Sequence, residues 1–314
     1  MKNNFFISGL CLLTASQTME AQDNKPENVN ILFIQADQHR YDCTGFSGKG
    51  LVKTPNIDKL ASEGVIFTNS YSCIPTSCPA RQSLISGKWP EQHKGLWNYD
   101  ITTEKLSEKD IKMGYVGKWH VSDRKSPKDF GFDDYVPEWS YNNWRKKNNL
   151  PDYVWQDSRW VMGGYDPVDK MQSRTHWLAQ RVIEMIKKYQ SEGKKWHVRF
   201  DTSDPHLPCY PVREFLAMYD KEKIQEWPNY RGDLSNKPYI QRQQIYNWEL
   251  EDSNWEMWQG YLQRYFANIT QLDDAVGMVI EALKEMGVYD NTLIVYTTDH
   301  GDAAGSHNMV DKHY

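Results

Sequence analysis

The sequence predicts an α/β fold built on a mostly parallel sheet. Two short apolar runs, residues 28–36 and 292–298, lead directly into acidic and polar residues. Buried parallel strands are typically apolar throughout, and ligands bind at their carboxyl ends. Two segments with apolar residues at helical spacing, 173–189 and 262–286, predict helices that cover the sheet. We therefore expect the functional residues at the carboxyl edge of a parallel sheet.

Composition limits the class of protein. The chain has 314 residues, of which 39% are hydrophobic and 25% are charged, as in ordinary globular proteins of one large domain or two smaller ones. Its formal net charge of −5, without a dense basic tract, argues against nucleic acid as a main partner. Cys43, Cys73, Cys78 and Cys209 show no spacing typical of zinc ligands. No segment after the N-terminal region is long and apolar enough to predict a membrane span.

Residues 1–22 predict a secretory signal peptide. Lys2 precedes the apolar run 5–13, which is too short to cross a bilayer, and cleavage is expected near Ala21-Gln22. We therefore expect an exported protein, periplasmic or extracellular, whose mature chain is residues 23–314.

The first apolar run ends in Asp37 and Gln38. A carboxylate at this edge either caps a helix or binds a metal, and the residues alone favour the cap. Thr54-Pro55 begins a short helix that Gly64 ends, and residues 65–67 predict a further strand.

Residues 69–88 combine a polar loop with the start of a helix. Ser77 would lie at the helix N-terminus, with Pro79 in the first turn, where free amides and the helix dipole favour an anion. Arg81 adds a guanidinium suited to oxyanions. The pattern indicates attack of a hydroxyl on a phosphate or sulfate, although an ordinary capped helix explains the local pattern equally well.

Two further predicted strands are followed by polar side chains that could belong to a functional site. Residues 113–120 predict a strand with Lys118 and His120 on one side, and 196–200 alternate as a strand before a Pro-rich loop that carries His206. A loop histidine can donate a proton near neutral pH. For all three side chains the alternative is a solvated or structural role.

Acidic residues occur in two different settings near the end of the chain. The last apolar run ends in Asp299 and His300, and Asp299 could converge with Asp37 on one cation. Asp273 and Asp274 are adjacent on a predicted helix and so diverge by about 100°. They are interpreted as helix-surface or capping charges.

Taken in order, these motifs resemble type I sulfatases, the formylglycine-dependent branch of the alkaline phosphatase superfamily. The resemblance rests on Ser77–Arg81 with Leu84 and Ser86–Lys88, and on Gly117–His120, Pro205-His206, Asp299-His300 and Lys312. The family leaves one residue between its nucleophile and a proline. Proline follows Cys78 directly, so Ser77 is the better candidate and the chain is similar to serine-type members.

The resemblance implies an alkaline-phosphatase-like α/β/α sandwich in which Ser77 is oxidised to formylglycine by a radical maturase. It also implies one Ca²⁺ held by Asp37, Gln38, Ser77, Asp299 and His300, where Gln38 departs from the family's second aspartate. Lys118, Lys312 and Arg81 would stabilise the sulfuryl oxygens. His206 would protonate the leaving alcohol, and His120 would bond the formylglycine and accept its proton.

The resemblance further implies that residues 23–314 form the N-terminal catalytic domain, and that the family's C-terminal subdomain is missing from this sequence. A sulfated carbohydrate is the expected substrate, since an exported enzyme rich in aromatic residues suggests one. Two alternatives stay open: a phosphoester or phosphonate hydrolase of the same superfamily, which Gln38 favours, and a non-catalytic glycan-binding relative.

Overall fold

A computed structural model describes residues 29–93, 111–156, 162–232 and 234–313. The predicted signal peptide, residues 1–22, lies outside these ranges. The strands are β1 (Asn30–Asp37), β2 (Ile111–Gly117), β3 (Asp134–Pro137), β4 (Val154–Trp155), β5 (Gly164–Tyr165), β6 (Lys195–Pro205) and β7 (Thr292–Thr298). The helices are α1 (Pro55–Glu63), α2 (Ser77–Ser86), α3 (Pro90–His93), α4 (Ser140–Lys147), α5 (Arg174–Ser191), α6 (Arg213–Leu216), α7 (Tyr239–Asn247) and α8 (Trp255–Glu285). No helix in the described ranges is long and apolar enough to cross a membrane.

The main sheet has five strands in the order β3-β2-β6-β1-β7. Every pairing in it is parallel, and β1 lies between β6 and β7. The predicted parallel sheet is confirmed. Because parallel strands end at the same edge, the carboxyl ends of β1 and β7 meet side by side.

Helices cover both faces of this sheet. On one face, Val116 of β2 packs in a cluster with Val182 of α5 and Val276 of α8. On the other face, Tyr115 of β2 packs with Ile85 of α2. Successive strand residues point to opposite faces, so α2 lies across the sheet from α5 and α8. The predicted α/β/α sandwich is confirmed.

Polar caps set where the two long helices begin. The Ser173 side chain accepts a hydrogen bond from the backbone N–H of His176 at the start of α5. The Asn254 side chain accepts from the N–H of Met257 at 3.0 Å, so α8 begins before the predicted residue 262. Both caps satisfy amides that a helix leaves free at its first turn.

Two local predictions are wrong. Residues 65–67 form no strand, and the side chains of Val65 and Phe67 are each 80% exposed. An apolar run needs a neighbouring strand to satisfy its backbone groups, and none of the described strands pairs with this one. Lys118 and His120 lie beyond the end of β2, where Gly117 (φ 117°) and His120 (φ 45°) bend the backbone, so they do not share one side of an extended strand.

Candidate active site

Ser77 is the first residue of α2 and is buried at the carboxyl edge of the sheet. The helix begins there because Thr76 is extended and Pro79 in the first turn needs no hydrogen-bond acceptor. The Ser77 Oγ donates to Asp37 Oδ1 at 3.2 Å and lies 2.7 Å from His300 Nε2. The predicted nucleophile is therefore at a helix N-terminus, beside a carboxylate and an imidazole.

Asp37, Asp299 and His300 form a group that can hold a cation. Asp37 ends β1 and Asp299 follows β7, and one donor atom from each of the three residues lies within 4.8 Å of the others. The Oδ1 atoms of both aspartates are 3.6 Å from His300 Nε2. These residues fit a divalent cation, since carboxylate oxygens are its preferred ligands.

The tautomer of His300 also suits a metal ligand. Its Nδ1 lies 2.9 Å from the carbonyl oxygen of Gly301. A carbonyl can only accept, so Nδ1 carries a proton, and Nε2 is the nitrogen that could ligate a cation. Bonds of this kind commonly orient ligating histidines.

Arg81 forms ion pairs with both Asp37 and Asp299. Its side chain is 1% exposed, with Nε 2.9 Å from Asp299 Oδ2 and Nη2 3.1 Å from Asp37 Oδ2. Burial opposes ionisation of Asp37, but the charges of Lys118 and Arg81 outweigh it and hold the Asp37 pKa well below its usual range. Burial, with the nearby Asp37 charge, raises the pKa of Asp299. Arg81 thus positions the two aspartates, and its predicted contact with a substrate oxyanion stays a prediction.

Asp201 completes this arrangement and was missed in the sequence. Its Oδ2 accepts from Arg81 Nη1 at 3.1 Å, from Arg199 Nη2 at 2.9 Å and from the Tyr115 hydroxyl at 2.7 Å. Asp201 directly follows the predicted strand 196–200, but those residues alternate instead of forming an apolar run like the ones that lead to Asp37 and Asp299. Its position at the end of a predicted strand is the signal that could have found it.

Lys118 and His120 follow the bend at Gly117. A side chain at Gly117 would place its Cβ 1.6 Å from the Asp201 carbonyl oxygen, so only glycine lets the backbones approach here. The bend brings Lys118 Nζ to 2.6 Å from Asp37 Oδ2. His120 is exposed to solvent on one side and partly buried on the other. The partial burial, together with the charges of Lys118 and Arg81, lowers its pKa to about 4. Its predicted bond to the nucleophile stays a prediction.

Lys312, His206 and Gln38 form a second group. Lys312 Nζ donates to Gln38 Oε1 at 2.8 Å and to His206 Nε2 at 2.7 Å, and His206 Nδ1 lies 2.5 Å from the Leu207 carbonyl oxygen. Burial, reinforced by Lys118 and Lys312, lowers the His206 pKa to about 3. His206 is therefore neutral in this arrangement, with its proton on Nδ1. Its predicted role as a proton donor stays a prediction.

Gln38 connects the two groups. Its backbone N–H donates to Asp299 Oδ1 at 3.2 Å, while its side-chain amide donates to Asp302 and accepts from Lys312. Its role as a metal ligand stays a prediction.

Comparison with known proteins decides the family. The family model described as Sulfatase matches residues 29–314. The chain belongs to the sulfatase family. The predicted family is confirmed.

Two curated relatives illustrate the range of this family. The chain is 26% identical over 320 residues to an arylsulfatase of Clostridium perfringens, an alignment that covers 90% of this chain and 65% of that protein. It is 21% identical over 373 residues to an N-acetylglucosamine-6-O-sulfatase of Bacteroides thetaiotaomicron, covering 97% of this chain and 64% of that protein. The chain thus spans less than two thirds of the length of these relatives.

The fold is shared with a solved hydrolase. A phosphonate monoester hydrolase of Agrobacterium radiobacter superposes with a TM-score of 0.78 at 21% identity, covering 91% of this chain and 65% of that one. The alkaline-phosphatase-like architecture of this sulfatase is confirmed.

The candidate site therefore has three parts. Ser77 lies with Asp37, Asp299 and His300, Arg81 and Lys118 contact the same carboxylates, and Lys312 with His206 lies beyond Gln38. Arg81 and Lys118 both contact Oδ2 of Asp37. An anion at Ser77 would lie at the helix N-terminus, and Lys118 bonds to the same aspartate as Ser77.

Proposed function

We propose that this sulfatase hydrolyses sulfate esters of carbohydrates. The observation that carries the proposal is the position of Ser77, at the N-terminus of α2 and within hydrogen-bond distance of Asp37 and His300. The relatives of this chain include an arylsulfatase and an N-acetylglucosamine-6-O-sulfatase, which supports the reaction and the substrate class.

We propose that a radical maturase that accepts serine oxidises Ser77 to formylglycine. The hydrated aldehyde supplies one hydroxyl to attack sulfur and a second whose deprotonation releases sulfate. Asp37 Oδ1 and His300 Nε2, which now contact the Ser77 oxygen, would orient it toward sulfur. His120, neutral because its pKa is about 4, would accept a proton at the rim.

Asp37, Asp299 and His300 would hold Ca²⁺, with Gln38 and the residue-77 side chain as the further proposed ligands. When bound, the ion supplies Lewis-acid stabilisation of the sulfuryl oxygens. The carboxylate set suits a hard cation, and Arg81 fixes its orientation by bonding both Oδ2 atoms.

Lys118, Lys312 and His206 would act on the substrate itself. The ammonium groups of the two lysines would bind sulfate oxygens, and Arg81 adds a charge behind them. His206 needs a raised pKa to protonate the leaving alcohol. A sulfate ester bound beside it supplies negative charge, so His206 would gain its proton as substrate binds.

We also propose export, because residues 1–22 combine a basic start with a short apolar run. The mature enzyme would act in the periplasm or outside the cell, where sulfated glycans are accessible.

Hydrolysis of phosphonate or phosphate monoesters is the second candidate. Gln38 favours it, since an amide in place of a carboxylate lowers the negative charge near the cation ligands. Aryl sulfate, aryl phosphate and phenyl phosphonate esters, compared at equal concentration, separate the two. The higher kcat/KM identifies the reaction.

The intact mass of the Ser77 peptide tests the proposed nucleophile, after coexpression of the full-length gene with a serine-type maturase. We expect the loss of two hydrogens in the wild type and in Cys78→Ala, and no loss in Ser77→Ala. Cys78→Ala is the matched control because it changes the adjacent residue. Unmodified Ser77 with a maturase that is active on a control substrate would overturn the mechanism. Glycan binding without turnover would then favour the binding-only alternative.

A further inference from the structure

The peptide bond that precedes Lys118 is held from two sides. Its N–H, which belongs to Lys118, donates to the Asp201 carbonyl oxygen at 2.8 Å. Its carbonyl oxygen, which belongs to Gly117, accepts from the Glu138 N–H at 3.1 Å. A peptide bond is planar, so these two bonds together fix the plane that leads from β2 to Lys118.

Buried side chains hold the next peptide bond. The Tyr115 hydroxyl donates to the Lys118 carbonyl oxygen at 2.8 Å, and Arg81 Nη1 donates to the same oxygen at 3.2 Å. Both donors belong to side chains that are buried. The peptide planes on either side of the Lys118 Cα atom are thus both held, and they set the direction in which the side chain leaves the main chain.

Packing fixes the position of the Tyr115 hydroxyl. The Tyr115 ring makes edge-to-face contacts with Trp119 and Phe132, with centroids 5.3 Å apart in each pair, and with Tyr135 at 5.8 Å. Edge-to-face is a preferred arrangement of aromatic pairs. Three neighbouring rings therefore hold the ring that carries the donor.

The Tyr115 hydroxyl has one proton and two acceptors. Asp201 Oδ2 lies 2.7 Å from it and the Lys118 carbonyl oxygen 2.8 Å. The same Asp201 oxygen accepts from Arg81 and Arg199. Loss of the hydroxyl could therefore act through Lys118 or through Asp201, and the two routes need an experiment that separates them.

Lys118 reaches from this anchored main chain into the candidate site. Its Nζ lies 2.6 Å from Asp37 Oδ2, and its side chain is 18% exposed. A lysine side chain is long and flexible, so a fixed starting point narrows the positions that its ammonium group can take. Misplacement of a catalytic group by about 1 Å can lower a rate about 100-fold.

We propose that Tyr115 is a positioning residue: its hydroxyl fixes the Lys118 main chain, so that the Lys118 ammonium group meets the sulfuryl oxygens of the substrate. The proposal rests on the proposed function, in which Lys118 binds these oxygens. Tyr115 itself would not contact the substrate.

A double-mutant cycle tests the route through Lys118. Tyr115→Phe removes the hydroxyl and keeps the packed ring. In the maturase-treated full-length protein it should lower kcat/KM for an aryl sulfate about 3- to 10-fold, the worth of one hydrogen bond. In Lys118→Met the same substitution should lower kcat/KM less than about 2-fold, because an effect exerted through Lys118 disappears with its ammonium group. Equal losses in both backgrounds, which a route through Asp201 would produce, would overturn the proposal, as would no loss in the wild-type background.

Tyr189→Phe is the matched control. Tyr189 is also buried, and its hydroxyl lies 2.8 Å from Asp134 Oδ2 and 3.3 Å from the Met113 carbonyl oxygen of β2. It thus contacts a carboxylate and a β2 carbonyl, as Tyr115 contacts a carboxylate and the carbonyl just after β2, but nearer the amino end of the strand. Tyr189→Phe should keep kcat/KM within about 2-fold of its parent in both backgrounds. Urea denaturation verifies that every variant is folded, and a loss equal to that of Tyr115→Phe would overturn the proposal.

Calorimetric titration of Ser77→Ala with inorganic sulfate gives a readout that needs no turnover. Adding Tyr115→Phe should raise the Kd about 3- to 10-fold when Lys118 is present, and less than about 2-fold in Lys118→Met. Equal effects in the two backgrounds, or no sulfate binding, would overturn the proposal. If the wild type hydrolyses no ester, the proposed function fails, and this titration still decides whether Tyr115 positions Lys118.

Discussion

Asp201→Asn tests whether a buried charge network behind Ser77 keeps the site assembled. Asp201 is 0% exposed and neutralises two buried guanidinium groups, with Oδ2 at 3.1 Å from Arg81 Nη1 and 2.9 Å from Arg199 Nη2. Asparagine has the same size but no charge. The substitution therefore removes the electrostatic contribution and leaves the packing intact.

The structure sets the expected magnitude. Removing one partner of a buried ion pair costs about 3–5 kcal/mol, because the other charge stays buried and unpaired. The asparagine oxygen can still accept from one arginine, and Arg81 keeps Asp37 and Asp299. We therefore expect a loss at the lower end, about 3 kcal/mol in the free energy of unfolding.

Urea denaturation followed by tryptophan fluorescence measures this loss. Asp134→Asn is the control, since the Asp134–Lys188 pair is 2.6 Å long but lies on the surface, with side chains 31% and 53% exposed. Exposed pairs contribute about 0–1 kcal/mol. Equal losses in the two variants would refute the conclusion that Asp201 balances buried charge, and the assignment of Arg81 as a residue that orients the aspartates would lose its support.

Three further predictions concern pH, the substrate charges and the cation. Burial lowers the pKa of His39 from 6.5 to about 4 and that of His206 to about 3, so between pH 6.5 and 4 these two histidines bind more protons in the unfolded chain than in the folded protein. Urea midpoints should therefore fall as pH drops from 6.5 to 4, and constant midpoints would contradict these values. Lys118→Met should lower kcat/KM about 100- to 1,000-fold, as loss of a donor to a transition-state oxyanion does, whereas the surface variant Lys112→Met should match the wild type. Ca²⁺ at about 100 times its Kd should stabilise the protein by about 2.7 kcal/mol; a chelator should reverse this, and Asp299→Asn should show no such gain.

The convergence of Asp37 and Asp299 could be predicted from the sequence because it follows from chain geometry. Each residue ends an apolar run, and parallel pairing brings the ends of β1 and β7 to one edge. The capping role suggested for Asp273 is seen in the structure, but on a distant helix that the sequence does not identify: its carboxylate accepts from the backbone N–H groups of Asn56 and Ile57 at the start of α1.

Other features depended on long-range contacts that no local pattern records. The Val65–Phe67 segment has the composition of a strand, but no described strand pairs with it. The pKa of His206 depends on its burial and on Lys312, which is distant in sequence. Asp201 was overlooked because residues 196–200 alternate instead of forming an apolar run, and only the structure shows that the strand continues past it to Pro205.

The two carboxylate oxygens of each aspartate make different contacts, which explains why the site needs both Arg81 and Ser77 in fixed positions. In Asp37 and in Asp299, Oδ2 bonds to Arg81, while Oδ1 lies on the side of His300. One carboxylate can therefore be anchored by a buried cation and still present an oxygen to the reaction centre. The planar guanidinium makes this possible, because its separate N–H groups reach two aspartates at once, which a single ammonium cannot do with the same geometry. Arg81 thus orients both aspartates through Oδ2, and Ser77 lies on the Oδ1 side of Asp37.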